Sequence, residues 1–492
     1  MKIICIYSLD DFVSVDKPLS SFSTIPYGLS YIATALKQAE NDVEIFVATP
    51  KTKIKSQLKN IINEKNPALI CLTAVSSQYP YICKIAQTIK EIFGSIPIII
   101  GGHHATLNPE ETIQKDCFDA ICIGEGEEAV VEYARQISTG KHPSGINNLW
   151  IKSKDGSLIE KNPRNSFVQD LDSMPFIDRR MWEPWIYDTN RMPTILIGRG
   201  CPNKCSYCSN HALARISSGR YVRYRSPENI IKEMEEILQE NPLIRSVFFE
   251  VETFSVNLKY AAKFCDALKV FNHNRKEKIK FGANISLNKK VVEDEQFLKN
   301  LKEANFDFVN LGLESGSERL RNTVLRRPKY SNEEMIAFCR LAKQMGIHIN
   351  LYALLGIPGE TQSDFYKTIE CARACKPRDV FLSIYYPYPG TDLYKMAVDE
   401  GFLDLEKFEN NFMERKKSVL NMPEFSKNQI QYQFLIFPYK VYKGRLPFMD
   451  IMARVLRGYL STNVVLNSIF RKIVNSRLLR AMKARFAPFV DN

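Results

Sequence analysis

Nowhere in the 492 residues is there a run of about 18 uncharged apolar residues, so no segment reads as a bilayer-spanning helix. The opening MKIICIYSLDDF has no basic stretch leading into an apolar core and a small-residue cleavage site, so no secretion signal is read there. No stretch is polar enough to read as disordered, since 45% of residues are hydrophobic and 25% charged, as in ordinary folded proteins. The expected location is therefore cytoplasmic. No GxGxxG follows the first apolar run, which removes the dinucleotide fingerprint from that position.

A chain of this length exceeds what one hydrophobic core usually holds, so two or three domains are expected. Twelve cysteines in a cytosolic chain read as thiols or metal ligands rather than disulfides, and nine of them are scattered. The net charge of +12 is concentrated at one end. From Ile451 to Asn492 there are eight cations (Arg454, Arg457, Arg471, Lys472, Arg477, Arg480, Lys483 and Arg485) against one acid, Asp491.

Residues 1–140 alternate short apolar runs (3–8, 43–49, 69–76, 97–102 and 120–126) with stretches of helical period such as Leu29–Ala39 and Tyr81–Phe93. Continuous apolar strands separated by helices predict a parallel sheet covered on both faces, a doubly wound, Rossmann-like α/β domain. Ligands bind such folds beyond the carboxyl ends of the strands. Ser76-Ser77, Gly101-Gly102-His103-His104 and Gly124-Glu125-Gly126-Glu127 all fall at that edge. They are either tight turns or a floor for a large flat or phosphate-bearing ligand, and three in succession favour the ligand.

Residues 141–190 carry Pro143, Pro163, Pro175 and Pro184 and read as a linker. A second series follows over 191–400, with strands at 194–198, 246–250, 278–285, 308–314, 348–356 and 379–387 and helices between them. Six strands with crossover helices predict a (β/α)6 partial TIM barrel with its chemistry at the carboxyl ends. Residues 401–492 read as a mostly helical, basic C-terminal segment. Its stretch 467–474 fits an amphipathic helix. That helix is either a solvated basic face on the barrel or a lid that also makes peripheral contact with an anionic membrane.

Directly after the first strand of the second series comes Arg199-Gly200-Cys201-Pro202-Asn203-Lys204-Cys205-Ser206-Tyr207-Cys208. Three thiolates within eight residues can converge on one iron–sulfur cube and leave one of its four irons open to a small molecule. Structural zinc is the alternative, with His211 as fourth ligand.

This CxxxCxxC, with an aromatic residue just before its last cysteine, resembles the signature of the radical SAM family. The resemblance extends to Gly312-Leu313-Glu314-Ser315-Gly316-Ser317, to Leu355-Gly356-Ile357-Pro358-Gly359-Glu360-Thr361, to Tyr388-Pro389-Gly390-Thr391, and to Pro26–Leu29 and GGHHAT in the first domain, covering about residues 1–395. It implies a cobalamin-binding domain followed by a radical SAM barrel. Such enzymes use a 4Fe-4S cluster to cleave S-adenosylmethionine (SAM) reductively, giving a 5′-deoxyadenosyl radical that takes a hydrogen from the substrate. In the cobalamin-dependent methylases, methylcobalamin then delivers a methyl group.

Carried over by position, the resemblance implies that Cys201, Cys205 and Cys208 hold the cluster and that Tyr207 lies beside the adenine. It places Glu252 on the SAM ammonium, Glu314 and Ser315 near its carboxylate or ribose, and Gly356, Ile357 and Pro358 along the adenine. Glu314 and Ser315 have a competing role as a helix cap. Many relatives carry an arginine after the third strand where this chain has Asn284-Ile285-Ser286, so Asn284 and Ser286 are the candidate donors to the SAM carboxylate. For cobalamin the implied residues are Pro26, Gly28, Leu29, Ser76, Ser77, Gly101, Gly102, His103, His104, Gly124, Glu125, Gly126 and Glu127. No DxHxxG follows the first strand, so no histidine ligand to cobalt is expected from that loop. No residue is assigned to catalysis itself.

The function expected from this resemblance is methylation of an unactivated carbon of a small molecule, with a one-electron reductant such as flavodoxin or ferredoxin as partner. The rivals are ring formation or rearrangement on the same architecture, as in the anaerobic porphyrin cyclase group, and a non-enzymatic cobalamin sensor. RNA methylthiolation is disfavoured because the first domain lacks a second three-cysteine cluster, so no nucleic-acid partner is expected.

Overall fold

The first strand, β1 (Lys2–Ser8), is apolar on both sides because helices cover both. Ile3 and Cys5 face one cluster with Leu29, Leu36, Val130 and Tyr133, from the helices Tyr27–Gln38 and Glu127–Ser138. Ile4 and Ile6 face a second cluster with Leu58, Ile62, Ile82 and Ile89, from the helices Ile54–Lys65 and Tyr79–Ile92. This computed structural model describes residues 1–9, 14, 16–49, 53–273, 275–409 and 414–461.

The chain divides into two units. The first holds residues 1–202, 208–252 and 388–391; the second holds 203–207, 253–387 and the described residues from 392. In the first unit β1 lies between β2 (Asp42–Ala48) and β3 (Leu69–Thr73), and the sheet continues through β4 (Ile98–Gly101) and β5 (Ala120–Cys122), all parallel. Two further strands, β6 (Leu149–Lys152) and β7 (Ile159–Lys161), then add antiparallel. The stretch expected to be a plain linker therefore extends the sheet at its edge. Further along, β8 (Thr194–Leu196) leads to β9 (Gly198–Arg199), which pairs antiparallel with β10 (Arg223–Tyr224). After the helix Pro227–Glu240, β11 (Ser246–Glu250) pairs parallel with β8.

A buried ion triad holds this part together. Glu233 on that helix takes Arg179 Nη1 at 2.8 Å and Arg225 Nη1 at 2.5 Å, and all three side chains are at most 5% exposed. Arg179 also donates to the carbonyl of Thr194 and Arg225 to that of Leu196, so the triad grips both ends of β8.

The second unit carries β12 (Lys280–Ile285), β13 (Phe306–Glu314), β14 (His348–Leu355) and β15 (Asp379–Ile384), adjacent in that order and parallel. With β8 and β11, six strands succeed one another along the chain, the number the sequence predicts. The helices Asn332–Gln344 and Gln362–Cys375 start where Ser331 and Thr361 form capping boxes with Glu334 and Asp364. Three asparagines share one level of the sheet: Asn350 Nδ2 donates to Asn310 Oδ1 at 3.0 Å, and Asn310 Nδ2 to Asn284 Oδ1 at 3.1 Å. No described helix is long and apolar enough to cross a membrane. The amphipathic stretch 467–474 and the cations from Arg471 onward lie outside the described residues.

Candidate active site

The cysteine loop begins where β9 ends. Gly200 adopts φ +90°, and a Cβ there would stand 2.2 Å from the carbonyl oxygen of Tyr221, so only glycine lets the chain turn off the strand here. Residues 201–208 form no regular structure before the short helix Ser209–Leu213. All twelve cysteines of the chain are thiols; Cys205 is buried, and Cys201 and Cys208 are half-buried. Among the described residues no three histidine, cysteine or carboxylate groups are gathered as a ready metal site. The donor set nonetheless fits an iron–sulfur cluster: three thiols on one irregular, partly exposed loop. The candidate fourth ligand for zinc, His211, meets Arg215 Nη2 at 2.5 Å through its Nε2, which leaves only Nδ1 for a metal.

In the first unit, the turns at the carboxyl ends of the strands surround a cavity of about 320 Å³. Gly28, Leu29, Gly101, Gly102, His103 and the Gly124–Glu127 turn line it, as do Gly200, Tyr221 and Glu252. At Gly28 an added Cβ would meet nothing within 4 Å, and Gly102 holds φ +93°. Glycine along the wall, with open space above Gly28, lets a broad group such as a corrin approach the backbone. Burial raises the Glu252 carboxyl, while backbone N–H groups, including that of Gly200, pull the other way. Burial lowers the ring of His103.

Pro26, Ser76, Ser77 and His104 do not line this cavity. Pro26 precedes the first residue of the helix Tyr27–Gln38, and its carbonyl accepts from Ser30 Oγ at 2.8 Å. His104 stacks on Tyr79 at 3.7 Å, reaches Ser76 Oγ at 3.3 Å and faces Glu111 at 3.4 Å. The two histidines thus separate, one on the cavity wall and one in a packed polar cluster.

In the second unit, Tyr207 and Cys205 share a neighbour that the sequence reading missed. Arg327 Nη1 lies 4.0 Å from Cys205 Sγ and 3.4 Å from Tyr207 Oη, and its Nη2 donates to the carbonyl of Gly312 at 3.1 Å. The Glu314 carboxylate stands 3.9 Å from the same guanidinium, and Arg327 Nε is buried with no hydrogen-bond partner. Burial pushes the Cys205 thiol and the Glu314 carboxyl up, and in both cases Arg327 opposes it. Glu314 itself sits at φ +57°, where the β13–β14 register shifts. A buried arginine so close to the Cys205 thiol can offset the negative charge of a thiolate. The only trace in the sequence was Arg326-Arg327 shortly after the fourth-strand motif.

The remaining candidates divide. Ser315 Oγ accepts from Ser317 N at 3.2 Å in a local turn, whereas Ser286 Oγ is buried with no partner. Asn284 spends its Oδ1 on the asparagine level already described. Gly356, Ile357 and Pro358 are buried in a turn organised by Glu360, whose Oε2 accepts from Gly356 N at 2.6 Å and Ile357 N at 3.2 Å. Burial raises the Glu360 carboxyl to about 8. A value raised above its ordinary 4.5 means that its contribution to stability is full below about pH 4.5 and is lost as the pH climbs to about 8. Denaturant titration of Glu360→Gln against the parent across that range should show the parent alone losing on the order of a few kcal/mol. Parallel curves would refute the assignment.

Comparison with known proteins agrees with this architecture. Residues 195–372 match the radical SAM superfamily model, and residues 20–134 match the B12 binding domain model. An uncharacterized methyltransferase of Pyrococcus horikoshii is 27% identical over 381 residues, covering 77% of this chain and 79% of that protein. The anaerobic magnesium-protoporphyrin IX monomethyl ester cyclase of Rubrivivax gelatinosus is 25% identical over 395 residues, covering 78% and 68%. Among solved structures, the radical SAM methyltransferase TsrM of Kitasatospora setae, with tryptophan and a SAM analogue bound, shares the fold. Its TM-score is 0.64 at 18% identity, covering 82% of this chain and 76% of that one.

Proposed function

We propose that this chain, a radical SAM enzyme with an N-terminal B12 binding domain, methylates an unactivated carbon of a small molecule. Its cofactors are a 4Fe-4S cluster, SAM and cobalamin. When bound, the cluster and SAM supply a 5′-deoxyadenosyl radical by one-electron reduction, and cobalamin supplies a transferable methyl group.

The observation that carries the reading is the cavity of the first unit, whose wall combines the glycine turns at the sheet edge with Gly200, Tyr221 and Glu252 beside the cysteine loop. In this reading Cys201, Cys205 and Cys208 hold the cluster, and Glu252 accepts hydrogen bonds from the SAM ammonium, which a carboxylate suits. Ser286 Oγ, buried and unpartnered, donates to the SAM carboxylate. Tyr207, Glu314 and the Gly356–Pro358 turn line the nucleoside. Gly28, Leu29, Gly101, Gly102, His103 and the Gly124–Glu127 turn hold cobalamin. A small electron-transfer protein of the flavodoxin or ferredoxin type supplies the electron. Likeness to the cyclase supports ring formation as the second reading.

The reconstituted, reduced protein, incubated with SAM and extract from its source, distinguishes the two. Methyl transfer yields S-adenosylhomocysteine alongside 5′-deoxyadenosine and a product heavier by one methylene. Deoxyadenosine without S-adenosylhomocysteine would favour the cyclase-type reaction, and no cleavage at all would overturn both.

A further inference from the structure

We propose that Glu125 and Glu127 are positioning residues that couple the filling of the glycine-walled cavity to the geometry of the cysteine loop. The inference rests on the reading above, in which the cavity takes cobalamin and the loop takes the cluster.

Both carboxylates sit on the turn that follows β5, and both line the cavity. Glu127 Oε1 accepts from Arg199 Nη2 at 2.6 Å. Glu125 Oε1 accepts from Arg199 Nη1 at 3.0 Å and from Arg223 Nη2 at 2.9 Å, and its Oε2 accepts from Arg223 Nη1 at 3.0 Å and from Val168 N at 2.7 Å. Arg199 and Arg223 are direct partners across the β9–β10 pair. They are the two stems of the segment 200–222, which carries Cys201 and Cys208. One turn of the sheet edge thus grips both stems.

The four side chains are between 4% and 16% exposed, so two positive and two negative charges are balanced where water screens them little. Bidentate guanidinium–carboxylate pairs fix orientation as well as distance, whereas apolar contacts slide. Arg199 and Arg223 also lie over the rings of Tyr31 and Phe167, which limits their alternatives. A broad ligand entering the cavity contacts the same turn, and any shift of its carboxylates is passed to the stems. Coupling of this kind is reciprocal: cluster loading must change cavity affinity by the factor that cavity filling changes the loop.

The test is titration of hydroxocobalamin into the full chain, iron-free and cluster-reconstituted, for the parent and for Glu127→Gln, with the reduced cluster's EPR spectrum recorded before and after cobalamin. In the parent, reconstitution should alter the dissociation constant by roughly fivefold or more, and cobalamin should change the EPR signal. In Glu127→Gln, which releases Arg199 Nη2 while Glu125 keeps its hold on both stems, the affinity ratio should fall at least about twofold and the EPR change should shrink. A parent ratio near unity, or a variant that keeps the full ratio, overturns the inference. If Glu127→Gln does not fold, Glu125→Gln takes its place, and the parent comparison decides by itself. A parent that takes up no cobalamin or no iron overturns the underlying reading, and the inference with it; uptake of both without coupling overturns the inference alone.

Discussion

Alanine at any one of Cys201, Cys205 or Cys208 is expected to bring SAM cleavage to the detection limit and to strip the reconstituted protein of most of its iron. Each thiolate is the only protein ligand to its iron in a three-cysteine site, so losing one opens a second iron to solvent and makes the cube labile. The other nine cysteines are all buried, whereas Cys201 and Cys208 are half-buried on the loop. Iron and sulfide content, the EPR signal of the reduced protein and 5′-deoxyadenosine formation measure the effect together. A parent that binds zinc stoichiometrically and no iron, or a variant that retains the EPR signal, would sink the cluster assignment. Secondary structure should change little in all three variants, since the loop they occupy contributes no regular element.

Glu233→Leu should be the most damaging change far from the cysteines, costing about 3–5 kcal/mol of stability. It leaves Arg179 and Arg225 buried at 5% and 4% exposure with no carboxylate between them. The cost is that of two buried guanidinium charges that have lost their shared carboxylate, which exceeds the net worth of the triad itself. Replacing all three residues with apolar ones of similar volume should therefore recover much of the loss. Because Arg179 and Arg225 also hold the carbonyls of Thr194 and Leu196, the single variant should loosen β8 first. Hydrogen exchange at Thr194–Leu196 and chemical denaturation check both parts. Equal stability of the single and triple variants would refute the argument.

The strands that could be read from sequence were those whose apolar runs have no other use. β1, β3 and β4 are buried on both faces, so their runs of isoleucine and leucine left no competing period. β6 and β7 were not legible, being four and three residues long, with Ile159-Glu160-Lys161 lying half to fully exposed at the sheet edge. The cysteine loop was legible because its spacing is chemistry in itself. Arg327 was not, because its meaning comes from Tyr207, 120 positions earlier in the chain. Glu125 and Glu127 were placed at the correct edge, but their arginine partners lie more than 70 residues away and only folding reveals them. His103 and His104 looked equivalent as neighbours. What separates them is the stacking of His104 on Tyr79, a tertiary fact.

The level of asparagines at positions 284, 310 and 350 has a consequence for how the second unit assembles. Parallel strands made only of branched aliphatics are nearly interchangeable with their shifted neighbours, so a misaligned pairing is a cheap mistake. Here a shift of any one strand breaks the amide-to-amide bonds, and leaving the buried Asn310 or Asn350 unsatisfied costs roughly 1–3 kcal/mol. The three amides therefore act as a proofreading mark. A mispaired sheet is penalised by the amides it leaves unmatched, whatever its aliphatic contacts.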